Sequence, residues 1–292
     1  MPSTRDIRRR IRSVKNTAQI TKAMQMVASS KMRRAQSAAL AGRPYAILMN
    51  KVLTSATRDL QGFVHPLMER RETRTRALVV VSTDKGLCGA LNANVARELI
   101  KFDRDTTVFV TAGKKAAQFV ARTKRRLAAE FHYKDAPVFS EARAISKAVQ
   151  EMFLKGEVDC VDVLYTRFVN TLTQKVELRQ LLPLGDLKNL LAKPPLVPEE
   201  TPEEGPGLEY QFEPNAEQVL GAMLPQFLNF LVYQVLLEAK ASEHSARMVA
   251  MKNATDNANQ LIKDLTLEYN KIRQASITKE LLEISTAQMA LG

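Results

Sequence analysis

The chain has 292 residues, 45% of them hydrophobic, enough for one or two domains with a sizeable core. Its two cysteines, Cys88 and Cys160, lack metal-ligand spacing and suit a reducing compartment, with a disulfide between them left open. The formal charge of +12 lies entirely in the first 58 residues, which hold 13 Lys and Arg against one acid, Asp6, while 30 basic and 30 acidic residues cancel in the rest. Such a field steers acidic partners: nucleic acid, anionic lipid or an acidic protein surface.

At the N-terminus, Ser3 and Asp6 have the spacing of a capping box, although the second position usually holds Glu or Gln. Behind them Ile7, Ile11, Val14, Ala18, Thr21, Ala28, Met32, Ala35 and Ala39 step by three, four or seven, the stripe of a coiled-coil seam. Gly42-Arg43-Pro44 predicts a kink or short break, after which helix resumes to about residue 60. The Arg-rich, acid-poor start is like an organelle presequence, but no apolar signal core follows.

Strand and helix signals alternate from residue 75 to 184. Residues 77–82 form a continuous apolar run of the buried-strand kind, followed by a glycine turn and a helix from about 90 to 102. A strand at 106–111, helices at 114–122 and 140–154, and strands at 160–165 and 173–181 complete the pattern. It predicts a small, mostly parallel, three-layer (Rossmann-like) α/β domain. Residues 185–217 are acidic and rich in proline, and read as a connector.

From Gln226 to Leu291 there is neither proline nor glycine, and the 66 residues would make a rod of about 100 Å. A stripe of Met251, Ala254, Ala258, Leu261, Leu265, Ile272 and Ala275 needs a partner helix. The basic N-terminal helix supplies one, so segments 1–60 and 218–292 are expected to pair as a long antiparallel coiled coil. Residues 218–237 are uncharged and long enough to span a bilayer. Their Gln, Asn, Gly and Pro content, and the acidic stretch before them, favour a core-docked helix over a transmembrane one.

Chemistry is hard to find. Asp84-Lys-Gly-Leu-Cys-Gly89 follows a strand, as a phosphate loop would, but the closing Gly-Lys-Ser/Thr is absent and a structural turn is the better reading. Cys88 has no base in a recognisable signature, since the only histidines are His65, His132 and His244. His244 beside Glu243 reads as a surface or seam residue. No paired carboxylates and no metal motif stand out, so neither a catalytic residue nor a cofactor is expected.

Four segments carry a specific resemblance: Ile20-Thr-Lys-Ala-Met-Gln-Met-Val-Ala-Ser-Ser-Lys-Met32, Asp84-Lys-Gly-Leu-Cys-Gly-Ala-Leu-Asn92, Ala246-Arg-Met-Val-Ala-Met-Lys-Asn-Ala-Thr-Asp-Asn257 and Tyr269-Asn-Lys-Ile-Arg-Gln-Ala-Ser-Ile-Thr-Lys-Glu280. Together they resemble the gamma subunit of F-type ATP synthase, over essentially the whole chain. The match begins almost at Met1, which leaves no room for a cleaved presequence and favours a bacterial protein.

The resemblance implies a non-catalytic rotor shaft, one copy per complex, peripheral on the cytoplasmic face of the inner membrane. Its helix pair would sit inside a hexamer of three alpha and three beta subunits, which binds and converts the nucleotide. Its α/β domain would meet the epsilon subunit and the ring of c subunits. By the same resemblance Met24, with Arg9 and Arg10 nearby, meets the beta lever. Arg247, Gln274 and Thr278 reach the catch loops of the hexamer, and Tyr210, Phe212 and Glu213 meet the c ring. Two rival readings are a basic coiled coil that binds nucleic acid and a small nucleotide enzyme using the Gly86–Gly89 turn. The first lacks aromatic interleaving: the first 44 residues contain no Phe, Tyr or Trp.

Overall fold

A computed structural model describes residues 3–59, 65–184, 212–213 and 215–291. The chain divides into two compact units, Met1–Ala28 with Met248–Gly292, and Ser29–Arg247.

The first unit is made by the start of helix α1 (Thr4–Ala41) and the end of a 76-residue helix, α6 (Ala216–Leu291). The α1 start is capped as its sequence predicts: the Asp6 N–H donates to Ser3 Oγ at 3.2 Å. Asp6 is too short to reach back to the cap amide, and its carboxylate instead accepts the Ser3 hydroxyl at 2.7 Å. Ile7, Ala18, Thr21 and Ala28 are buried on α1, against Met251, Thr255, Ala258 and Leu265 on α6. The two run antiparallel: Arg8 donates to the Tyr269 hydroxyl, while further along α1 Thr21 meets Thr255, Oγ1 to Oγ1, at 2.7 Å.

The α6 stripe differs in phase from the sequence reading. Thr255 is buried and Ile262 half-buried, whereas Leu261 is 40% exposed and Ala275 is exposed. The seam positions are Met251, Thr255, Ala258, Ile262, Leu265, Tyr269 and Ile272, a strict alternation of four and three. A threonine is a poor apolar residue, so the pattern alone favours its alanine neighbour. The hydrogen bond to Thr21 is what makes its burial tolerable.

In the second unit a five-stranded sheet has the order β3-β2-β1-β4-β5. Strands β1 (Arg76–Val81), β2 (Thr107–Ala112), β3 (Leu127–Phe131) and β4 (Cys160–Phe168) are parallel, and β5 (Gln174–Leu182) closes the β4 edge antiparallel. The pleat sorts the side chains. Ala77, Val79 and Val81 of β1 join one core with α5 (Phe139–Leu154), Leu53 of α2 (Arg43–Asp59) and Leu220, Leu224, Leu228 and Leu231 of α6. Leu78 and Val80 face the opposite core, with α3 (Leu91–Leu99) and α4 (Lys114–Arg122). Helices on both faces make three layers, and the break expected near Gly42 falls between α1 and α2.

Strand β3 was not foreseen. Its sequence, Leu-Ala-Ala-Glu-Phe, is weakly apolar because it is an edge strand with no fully buried residue: it pairs only with β2, and Ala129 and Phe131 pack partly against the core.

Helix α6 begins ten residues before the proline-free run and passes through Pro225. Proline in a helix interior costs about 3 kcal/mol. Leu220, Leu224, Phe227 and Leu228 around it are buried, and each contributes roughly 1.5–3 kcal/mol, so tertiary packing wins. The uncharged stretch, which is long and apolar enough to cross a membrane, is thus mostly core.

One turn is sharply constrained. Gly113, between β2 and α4, has φ +105, and a Cβ built there would lie 2.3 Å from the Ser82 carbonyl oxygen. The backbone cannot give way, because Ser82 is held by the Ala112 carbonyl and by the Tyr133 hydroxyl. We expect Gly113→Ala to lower the unfolding free energy by about 3 kcal/mol or more. Urea denaturation of the purified chain measures this directly, and a loss below about 1 kcal/mol would contradict it.

Candidate functional site

At the carboxyl edge of β1 to β3, the chain turns into α3 and α4 and meets α6. Asp84 Oδ1 accepts the Lys114 N–H at 2.9 Å, capping α4, whose own N-cap, Gly113, has no side chain. Asn92 Nδ2 donates to Thr83 Oγ1 at 2.7 Å, tying α3 back to the strand end. Leu87 and Gly89 take positive φ, as a tight turn requires.

Arg247 of α6 occupies this turn. Its Nη2 donates to the Gly86 carbonyl at 3.2 Å and to Glu243 Oε1 at 2.8 Å. A turn that presents carbonyls to a guanidinium does not cradle an anion at that place, so the phosphate-loop reading of residues 84–89 is not realised.

A polar ladder continues from there. Glu243 Oε2 accepts from Lys240 Nζ at 2.9 Å, and that ammonium lies 4.4 Å above the Tyr133 ring and 3.8 Å from Asp135. Lys240 is only 2% exposed. Lys31 of α1 donates to the other Asp135 oxygen, and this bond holds the Asp135 carboxyl below its usual range. The Tyr133 hydroxyl donates to the Ser82 carbonyl at 2.9 Å, and burial pushes its ionisation far up. Every charged member of the ladder thus has an opposite partner. Such a cluster stabilises little in net terms, yet removing either of its fully buried members, Lys240 or Glu243, would strand the other charge and cost roughly 3–5 kcal/mol, so the pair fixes one arrangement of helix against sheet.

His244 corrects the surface reading: it is buried, with Nε2 lacking a hydrogen-bond partner. Burial lowers its pKa to about 4, and the imidazole is neutral. Both cysteines are free and buried, Cys88 at the carboxyl edge of the sheet and Cys160 at the start of β4. Burial raises the Cys88 thiol, the opposite of what a nucleophile needs.

The residues expected to make contacts are scattered. Met24 is half-buried beside the α1 seam, and Arg9 and Arg10 are exposed, with Arg9 3.1 Å from Asp6. Gln274 and Thr278 are exposed one turn apart on α6, where Thr278 Oγ1 donates to the Gln274 carbonyl at 2.9 Å. Phe212 packs partly against the sheet core, Glu213 is exposed, and Tyr210 lies outside the described residues. The ladder itself was missed. Lys240, Glu243 and Arg247, at i, i+3 and i+7, were readable as one face of a helix. Lys31, Tyr133 and Asp135 carry no sequence signal that would join them to it.

The molecule is thus of a class that joins a long antiparallel helix pair to a three-layer α/β unit, in which the charges at the glycine turn are taken up by bonds between its own elements. The family described as ATP synthase matches residues 3–291. The ATP synthase gamma chain of Opitutus terrae is 49% identical, over 99% of both chains. That of Methylacidiphilum infernorum is 47% identical over the full length of both. Among solved structures, the central stalk and c-ring of Tetrahymena thermophila mitochondrial ATP synthase matches with a TM-score of 0.61 at 28% identity, covering 80% of this chain and 99% of that one. A chain of the Euglena gracilis mitochondrial enzyme shares the fold, with a TM-score of 0.66 at 22% identity over 99% of this chain and 94% of that one. The chain belongs to the ATP synthase gamma-chain family, the non-catalytic central stalk of the F-type enzyme. Nothing in these likenesses supports the nucleic-acid-binding alternative.

Two buried groups on α6 titrate in opposite senses. Glu238 accepts the Phe168 N–H at 3.3 Å with Arg167 at 3.9 Å, and burial raises its pKa to about 7. Its folded form holds a proton that the unfolded chain releases above the ordinary carboxylate range, so its contribution declines as pH rises toward 7. His244, with its pKa near 4, does the reverse and gains as pH rises toward the ordinary imidazole value. The two nearly cancel. Relative to wild type, we expect the stability of Glu238→Gln to climb, and that of His244→Gln to fall, by roughly 3 kcal/mol between pH 4 and 7. Denaturant titrations across that window test both signs, and parallel profiles for the two variants would refute them.

Proposed function

We propose that the chain turns as the single shaft of a bacterial F-type ATP synthase, inside three alpha and three beta subunits. Epsilon and the c-subunit ring lie at its base, on the cytoplasmic face of the inner membrane. In this reading segments 1–60 and 218–292 are the shaft, 75–184 the base and 185–217 the link between them. The observation that carries it is the far end of α6. Beyond Leu265 no described side chain is buried, and Ile277, Leu281, Leu282, Ile284 and Met289 are 49–81% exposed. So much apolar surface on one helix calls for surrounding partners.

The work is differential contact. One asymmetric shaft meets three equivalent beta subunits, and each contact biases a subunit only by its energy difference between conformations. The contacts must also release. The uncharged, small-residue stretch 284–291 suits a bearing, and the exposed arginines of α1 attract an acidic lever with screened, modest strength. Met24, with Arg9 and Arg10, would touch that lever. Arg247, Gln274 and Thr278 would engage the catch loops, and Tyr210, Phe212 and Glu213 the ring.

Single-copy co-purification with three alpha and three beta subunits tests the assembly. The catch assignment has its own test in Arg247→Ala. Glu243 keeps Lys240 as a partner in that variant, so the chain stays folded while ATP turnover of the assembled complex drops severalfold. Wild-type turnover in a correctly assembled complex would exclude it.

A further inference from the structure

The amino edge of the sheet carries a cluster that the shaft does not use. An open cleft of about 560 Å³ is lined by Arg104, Asp105, Lys124, Arg125 and Arg126, four cations and one acid. Two of the cations have structural work. Arg125 Nη1 donates to the Phe102 carbonyl at 2.7 Å and Nη2 to the Ile100 carbonyl at 3.2 Å, so it closes the end of α3. Arg104 Nη2 donates to the Thr123 carbonyl at the end of α4. Lys124 and Arg126 have no side-chain hydrogen bond or ion pair among the described residues.

Lys124 is also held in a costly conformation. The Lys124 N–H donates to the Ala121 carbonyl and the Arg125 N–H to the Val120 carbonyl, the two bonds of a Schellman cap on α4. The residue at that position has φ +52, where glycine is the usual occupant. A lysine stands here against its backbone preference, and it lines the cleft with three arginines. Strain of this kind collects where a side chain is needed.

We propose that this cleft is a binding site for phosphate groups. Arginine forks and a lysine point charge are the donors that bind phosphate, and the cleft has room for more than one such group. Its lining has no aromatic or aliphatic wall on which a base could stack, so recognition is of phosphate and not of a nucleoside. The crowding of like charge supports this: burial and the neighbouring Arg104 both lower the pKa of Arg125, with Asp103 opposing. A doubly charged anion would relieve that repulsion. Phosphate reaches such a site either free in solution or as the headgroup of an anionic lipid.

Lys124→Gly separates binding from folding, because glycine suits the cap better than lysine does. We expect its unfolding midpoint at or above wild type, and about tenfold weaker binding for the lost charge-assisted contact. Arg126→Ala should weaken binding comparably without changing the fold. Inorganic pyrophosphate, titrated calorimetrically into the full chain, reads the free source. Co-sedimentation with vesicles of phosphatidylcholine, with and without an equal share of phosphatidylglycerol, reads the lipid source. The α1 arginines set a background in the vesicle arm, so the cleft is read as the difference between wild type and variant. A variant-sensitive signal with pyrophosphate assigns the site to free phosphate, and one with vesicles alone assigns it to headgroups. Wild-type binding of neither probe, or equal binding by Lys124→Gly, Arg126→Ala and wild type, overturns the proposal.

Discussion

A helix of 76 residues presents a long apolar stripe that it cannot bury against itself, and the structure depends on how that stripe is covered. Between Leu220 and Ala239 the cover is the sheet and its helices, and α6 is apolar nearly all round. From Met251 to Ile272 the cover is α1 alone, and only one face is apolar. One continuous helix therefore has two kinds of stability. Its first part is held by a three-layer core, and its later part by a single seam.

That seam is lean. Ala18, Ala28 and Ala258 let the helices approach closely but bury little area, and a hydrogen-bonded threonine pair sits where apolar residues would stabilise more. A buried polar pair of this kind favours one register, because sliding either helix would leave both hydroxyls without each other. Register matters more than strength for a shaft, whose two helices must not slip as load passes between them. Beyond the seam the exposed apolar residues of α6 gain their cover from whatever encloses them.

The ladder at the carboxyl edge serves the same end by another route. Ion pairs in a core are poor stabilisers, since desolvation offsets most of their attraction. They are intolerant of displacement, however, and Lys240 between Glu243, Asp135 and the Tyr133 ring accepts only one placement of α6 on the sheet. Arg247 in the glycine turn adds a second anchor. A site that resembles a phosphate loop in one dimension is a socket for the protein's own arginine in three.

Much of this was legible in the order of residues. The α1 stripe, the break at Gly42, four of the five strands and the long final helix follow from periodicity and from where proline and glycine fall, because those signals are local. The four quoted segments carried the family. What needed the tertiary structure was whatever depends on a neighbour distant in sequence. Strand β3 exists because β2 offers it an edge, and α6 runs through Pro225 because its neighbours Leu220, Leu224, Phe227 and Leu228 pack into the core. Thr255 displaces Ala254 from the seam because Thr21 faces it, and His244 is buried and neutral because the fold closes over it. Local pattern sets which elements form, whereas burial and pairing set what each side chain does, and those are properties of the packed whole.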